Sequence, residues 1–252
     1  DTRVCVYDRP GRGWSDATDG PQDGAQIAAD LHTLLERAHV PGPYVLAGHS
    51  FGGLYVQSFA AQFPDQVAGM VLLDSTAPRS GPAPTTNSYN AVGRVAALSG
   101  ASAHLGAGRL LNPFSYGTLP PRSRDEARAN SSTARHLASF VEEYGVANTS
   151  MQQASALTSL NGKPLIVLTA DEGITDDQWQ SKQDHMATLS TNSSHRVAKA
   201  TPTNRCCTTK PTPPKPARQS RTSSRRYAPP DRSASPQVVP TRSYLSAVAG
   251  TS

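Results

Sequence analysis

The chain has 252 residues, with 24 Lys+Arg against 19 Asp+Glu and a formal net charge of +5, a balance that by itself invites nucleic acid or an anionic membrane as partner. The charge is unevenly placed. Residues 201–252 hold nine of the basic and one of the acidic side chains, so residues 1–200 carry 15 basic against 18 acidic and are mildly acidic. No apolar run reaches the ~18 residues that a membrane-spanning helix needs, so no such helix is expected in these residues, and the cytoplasm is the default expectation with targeting open.

Taken in chain order, strand and helix patterns alternate. "RVCVYD" (Arg3 to Asp8) is a short apolar run closed by the Gly/Pro loop "RPGRGWSD", the pattern of a strand in a parallel sheet covered on both faces. Because this strand opens so close to Asp1, the chain is expected to begin inside a domain. Ile27, Leu31, Leu34, Leu35 and Ala38 recur at helical spacing until Pro41 and Gly42. "PYVLAG" (Pro43 to Gly48) reads as the next strand, "GGLYVQSFAAQF" (Gly52 to Phe63) as a helix stopped by Pro64, and "VAGMVLLD" (Val67 to Asp74) as a third strand. From about Ala77 to Asn161 the pattern becomes Pro/Gly/Ser/Ala-rich with helical stretches, notably "DEARANSSTARHLASFVEEYG". "KPLIVLTA" (Lys163 to Ala170) resumes the sheet, a helix carrying Trp179, Lys182, Met186 and Leu189 follows, and "HRVAKA" (His195 to Ala200) starts one more strand. The order predicts an α/β fold with a mostly parallel sheet flanked by helices.

After residue 200 the composition changes. Nine of the 21 prolines lie there with almost no apolar periodicity, so this basic tail cannot bury enough surface to offset its ordering entropy and is expected to be disordered. Its Lys and Arg are not interleaved with aromatics, Tyr227 and Tyr244 being the only rings, which argues against specific nucleic-acid binding. Cys5, Cys206 and Cys207 form neither a disulfide framework nor a zinc spacing, and no metal site is expected.

The chemistry sits in "LAGHSFGG". Gly48, Ser50 and Gly52 form a Gly-x-Ser-x-Gly motif between a predicted strand and a predicted helix, the context in which a serine on a strained turn lifts its hydroxyl above the sheet. The flanking glycines would let strand and helix approach closely, and the amide of Phe51 would point at an oxyanion developing on a bound carbonyl.

With "VYDRPGRGWSD", "LAGHSFGGLYVQSFAAQFPDQVAGMVLLD" and "KPLIVLTADEG" in this order, residues 1–200 resemble lid-bearing serine hydrolases of the α/β-hydrolase fold. The resemblance implies core segments at 1–76 and 162–200, a lid insertion at 77–161 and the tail at 201–252. It implies cofactor-independent hydrolysis of a small acyl or ester substrate, with Ser50 as nucleophile and Phe51 in the oxyanion hole, and says nothing of oligomeric state. The family's acid follows a late strand, here "PLIVLTA". Asp176 is the preferred candidate beside Asp171, Glu172 and Asp177, with Asp74 as an alternative better suited to anchoring its loop, as are Asp8 and Arg9.

The base is the gap. A triad needs a histidine after the last strand to take the Ser50 proton and return it to the leaving group. The seven histidines are His32, His39, His49, His104, His136, His185 and His195, and none lies there. Codons rebuilt from the third base of each residue and the first two of the next permit Thr-His-Gln-Ser-Leu-Leu-His-Asp-Glu-Ala-Asp-Ala-Ala through Pro214. From Gln219 to Tyr227 they permit Ile-x-Asp-Val-Val-x-Ala-Val-Arg, an amphipathic helix. The expectation is a change of reading frame between Val197 and Pro202, with the chain as written inactive for want of its base. The competing expectation is a non-catalytic pseudoenzyme or mistranslated remnant.

Overall fold

The computed structural model describes residues 3–81, 116, 119–131, 133–170 and 178–198. The basic tail and the acid candidates Asp171, Glu172, Asp176 and Asp177 lie outside the described residues, as does most of the first half of the 77–161 insertion. Four strands, β1 (Tyr44–His49), β2 (Val67–Leu73), β3 (Leu165–Ala170) and β4 (Ser193–Ala198), form one sheet in that order, every neighbouring pair parallel. The described helices are α1 (Gly24–Arg37), α2 (Phe51–Gln62), α3 (Pro121–Ser131), α4 (Ala134–Gly145), α5 (Ala147–Ala154) and α6 (Trp179–Ala187). The protein has the expected α/β architecture, a parallel sheet with helices packed on it.

One strand expected from the sequence does not form. Arg3 to Asp8 makes a single bridge, at Val4, and otherwise runs without ladder pairing. Cys5 is buried while Val4 and Val6 are 63% and 61% exposed. The alternation of a strand is there, but a strand needs a neighbour along its length to satisfy its amides.

The core fills one side of the sheet. Leu46, Met70, Leu72, Leu165 and Val167 point into a cluster with Leu35 of α1, Phe59 of α2, Met186 of α6, and Leu157 and Leu160 from the segment after α5. Truncating one such buried Leu to Ala costs about 2–5 kcal/mol through lost transfer energy and the cavity left behind. α2 is buried on two sides, because Phe51, Leu54 and Tyr55 form a second cluster with Ile27, Ala147, Met151 and Ala154. α1 begins at Gly24, capped by the Asp23 carboxylate, which accepts from the Ala25 and Gln26 amides. Its first amides also donate to Ser150 Oγ (3.0 Å, from Gly24) and Gln153 Oε1 (2.8 Å, from Ala25) of α5. The opposite sheet face is less covered than a parallel sheet usually is: Ile166 and Val197 remain 41% and 48% exposed.

Candidate active site

β1 ends at His49 and α2 begins at Phe51, so the whole turn between them is Ser50. Its φ of 52° and ψ of −124° fall where a non-glycine residue costs about 1–3 kcal/mol unless its surroundings impose it. They do. The Ser50 amide donates to the Leu73 carbonyl (3.3 Å), and its own carbonyl accepts from the Gly53 and Thr76 amides (both 3.0 Å). Ser75 Oγ donates to the Gly48 carbonyl (2.8 Å), while Gln183 Nε2 of α6 donates to the Ser75 carbonyl (2.8 Å). The end of β2 and its following loop thus brace the turn from one side and α6 braces the loop.

Close approach explains the glycines. A Cβ on Gly48 would land on the Gly52 carbonyl, so only glycine lets β1 meet α2 there. A Cβ on Gly52 would meet nothing within 4 Å among the described residues, whereas one on Gly53 would collide with Ser75. The second tight position is therefore Gly53, one residue beyond the motif.

Ser50 opens on a cavity of about 440 Å³ lined by the Tyr7–Arg12 loop, His49, Phe51 and Gly52, and by His136, Phe140, Glu143 and Tyr144 of α4. The loop is held in shape by Asp8, whose Oδ2 accepts from the Trp14 amide (3.1 Å) and whose carbonyl accepts from Ser15 Oγ (2.6 Å). α4 is docked on it by Ser139 Oγ donating to the Pro10 carbonyl (3.1 Å).

Between loop and helix lies a charged cluster that sequence reasoning missed. Glu143 takes hydrogen bonds from Arg9 Nη1 (2.8 Å) and Tyr55 Oη (2.6 Å) on one oxygen and from Arg12 Nη2 on the other. Burial alone raises the Glu143 carboxyl, but the two guanidinium groups and the tyrosine outweigh it and hold the carboxyl below its ordinary value. Burial lowers both arginines. For Arg9 the pull of Glu143 prevails and the net shift is upward, whereas Arg12 stays below its usual value. Burial with the adjacent Glu143 charge pushes the Tyr55 hydroxyl up. Arg12 Nη1 also meets His136 Nε2 at 3.1 Å. Since a guanidinium only donates, Nε2 accepts and the imidazole proton sits on Nδ1. Burial and the neighbouring Arg12 push His136 down to about 4, so its ring is neutral at pH 7.

The structure brings Ser50, Phe51 and Gly52 together on the cavity wall, with Gly48 packed behind them against the Gly52 backbone. Asp74 stands at the end of β2, where its Oδ1 accepts from the Ala170 amide (3.3 Å) and Trp179 Nε1 (3.1 Å), linking β2, β3 and α6. His195 lies inside β4, its Nδ1 2.6 Å from Asp184 and its Nε2 2.7 Å from Thr169 Oγ1, three strands away from the Ser50 turn. His49 and His136 line the cavity, yet among the described residues no hydrogen bond joins either ring to Ser50. Among the described residues no helix is long and apolar enough to cross a membrane.

A parallel sheet that hands over to a buried helix through a strained serine facing a cavity places the chain among α/β-hydrolase-type proteins. The alpha/beta hydrolase family model matches residues 1–202, and the chain belongs to that family. It is 47% identical over 75 residues to an uncharacterized protein of Schizosaccharomyces pombe, covering 30% of this chain and 14% of that one. It is 42% identical over 80 residues to a pimeloyl-[acyl-carrier protein] methyl ester esterase of Chromobacterium violaceum, covering 31% and 29% respectively. The matched stretches thus span less than a third of either relative's own length. Cfl2 from Burkholderia cenocepacia superposes with a TM-score of 0.55 at 23% identity, covering 75% of this chain and 68% of that one.

Proposed function

We propose that the parent protein is a serine hydrolase acting on a small ester or related acyl substrate. What carries this reading is the backbone of Ser50, a non-glycine residue in a left-handed conformation, braced by hydrogen bonds and opening on a cavity. Ser50 Oγ attacks the substrate carbonyl while a base removes its proton. The oxyanion of the tetrahedral intermediate forms beside the N-terminal end of α2, where the Phe51 amide lies. Collapse expels the alcohol, which takes the proton back from the base, and water then releases the acyl group by the same steps. The ester class is favoured by the likeness to a methyl ester esterase, 42% identical over 80 residues. No cofactor is needed for these steps.

The acid in this reading is Asp176, in the segment after β3. Asp74 is the less suited candidate, since its Oδ1 already receives the Ala170 amide and the Trp179 indole. The base comes from the neighbouring reading frame, at the His permitted by the codons of Pro202 and Thr203. That frame also supplies an amphipathic helix, and the partly exposed apolar face with Ile166 and Val197 is a surface such a helix can cover. Helix α4 with the segment before it acts as the lid over Ser50.

The second reading, a remnant without catalysis, is favoured by one observation: among the described residues no histidine is hydrogen-bonded to Ser50. A serine-reactive fluorophosphonate separates the two. The chain as written is expected to label weakly, and a version with the frame restored after Val197 to label strongly at Ser50. Absence of labelling in the restored version, or codons in the gene that forbid the histidine, would overturn the serine-hydrolase reading in favour of the remnant.

A further inference from the structure

The ionised side chains lining the cavity beside Ser50 include two acids, Asp8 and Glu143, and two bases, Arg9 and Arg12. Glu143 is saturated by Arg9, Arg12 and Tyr55, and Arg12 spends its other Nη on His136. His136 is neutral at pH 7. One carboxylate therefore faces two guanidinium groups, a surplus of one positive charge inside the cluster. Asp8 supplies the second anion of the cavity wall, its Oδ2 accepting from the Trp14 amide of its own loop, so the wall as a whole is balanced in formal charge.

Arg9 presents its guanidinium to the cavity. Its Nη1 is held by Glu143 at 2.8 Å and its guanidinium lies 4.7 Å from the centre of the Tyr55 ring, so the plane of the fork is fixed on two sides. Its side chain is nonetheless 28% exposed and lines the cavity, and its partners in the cluster, Glu143 and Tyr55, leave part of its five-donor fork unused. The donors left over on a fixed fork are suited to a carboxylate, which accepts two parallel N–H bonds in that geometry. Little ordering is required of such an arginine when the ligand arrives, because its rotamer is already held.

We propose that Arg9 is a specificity-determining residue that receives a carboxylate on the substrate, so that the cavity prefers esters of dicarboxylic acids, with one acid group free and the other esterified. This deepens the reading of Ser50 as nucleophile and rests on it: the free carboxylate docks on Arg9 between loop and α4, and the ester carbonyl reaches Ser50 on the cavity wall. An uncharged ester of the same size offers these donors no anionic acceptor and binds less well.

The test measures binding, not turnover, in the full chain carrying Ser50→Ala, so that it reads Arg9 whether or not Ser50 is activated. Monomethyl succinate and its uncharged near-isostere methyl levulinate are titrated by NMR at pH 7 and low salt. The charged ester is expected to bind about tenfold more tightly, the scale of one charge-assisted hydrogen-bond pair, with the preference shrinking as salt is raised. Arg9→Gln is expected to bring the ratio close to one, Arg9→Lys to keep part of it, and Arg37→Gln, on the exposed face of α1, to leave it unchanged. Equal affinities in the parent, no detectable binding of the charged ester, or an undiminished preference in Arg9→Gln would each overturn the proposal. Failure here with strong fluorophosphonate labelling of the frame-restored protein would remove the carboxylate preference and leave Ser50 chemistry standing.

Discussion

Replacing Glu143 by Gln keeps the shape of the side chain and removes the single negative charge between Arg9 and Arg12. The side chain of Glu143 is 9% exposed, that of Arg12 13% and that of Arg9 28%, so the pairs are desolvated on the Glu143 and Arg12 sides and partly wet on the Arg9 side. Breaking a buried pair by removing one partner typically costs ~3–5 kcal/mol, since the charge left behind keeps its desolvation penalty. The access of water to Arg9 places the expected loss near the lower figure, ~3 kcal/mol. With a urea m-value of ~2 kcal/mol/M for a domain of this size, the unfolding midpoint should fall by ~1.5 M at pH 7 with the slope unchanged. Replacing Arg9, Arg12 and Glu143 together by Met removes the buried charges as well as their attraction and should recover most of the loss. A midpoint shift under ~0.5 M for Glu143→Gln, or a triple variant worse than the single one, would refute the account of the cluster as a mutually compensated buried network.

Two further outcomes follow from the same geometry. Ser50→Gly relieves a left-handed backbone worth ~1–3 kcal/mol while adding the entropy cost of glycine, ~0.5–1 kcal/mol; a thermal midpoint higher by a few degrees is expected, and a lower one would mean that the turn is not strained. For His136, the unfolded chain takes up a proton near pH 6.5 and the folded chain only near 4, so stability should fall as pH falls through that window. The difference amounts to ~3 kcal/mol at ~1.4 kcal/mol per pH unit, reduced to ~1–2 kcal/mol by solvent screening of a partly exposed ring. Unfolding free energies at pH 7.5 and 4 should differ by about that much less in His136→Gln than in the parent, and an identical pH dependence in both would count against a buried neutral imidazole.

How far the sequence could be read depended on the range of the interaction involved. β1, α2 and β2 were legible because each is a short apolar run bounded by Gly or Pro, and Ser50 fell between the first two for the same local reason. Arg3 to Asp8 carried an equally good strand pattern and failed, since pairing is a property of the neighbour and not of the run. The periodicity of α1 begins at Ile27 and leaves out its first turn, which is stabilised by Ser150 and Gln153, 126 and 128 residues from their partners. The cavity cluster joins Arg9 and Arg12 to Glu143 across 134 and 131 residues. In a single sequence, two arginines in a Gly-rich loop and a glutamate in a helix look like solvated charges, and no periodicity links them.

The same division of range bears on catalysis. Among the described residues, the groups that brace the Ser50 backbone come from β1, α2, the end of β2 with Ser75 and Thr76, and one side chain of α6: the Leu73 carbonyl, the Gly53 and Thr76 amides, the Ser75 hydroxyl on Gly48, and Gln183 behind it. None of these groups is a proton acceptor for the serine, and none depends on residues beyond Ala198. In the proposed reading, the geometry of Ser50 and its activation are therefore separable. A chain lacking the base can hold a fully shaped serine turn, because strain at Ser50 is offset by main-chain hydrogen bonds and by the close contact at Gly48, not by the triad. It follows that a strained serine is a sound guide to where the reaction takes place and a poor guide to whether it proceeds. That second question turns on a single imidazole placed over the turn, and restoring one by changing the reading frame after Val197 should alter reactivity by orders of magnitude while leaving the Ser50 backbone where it is.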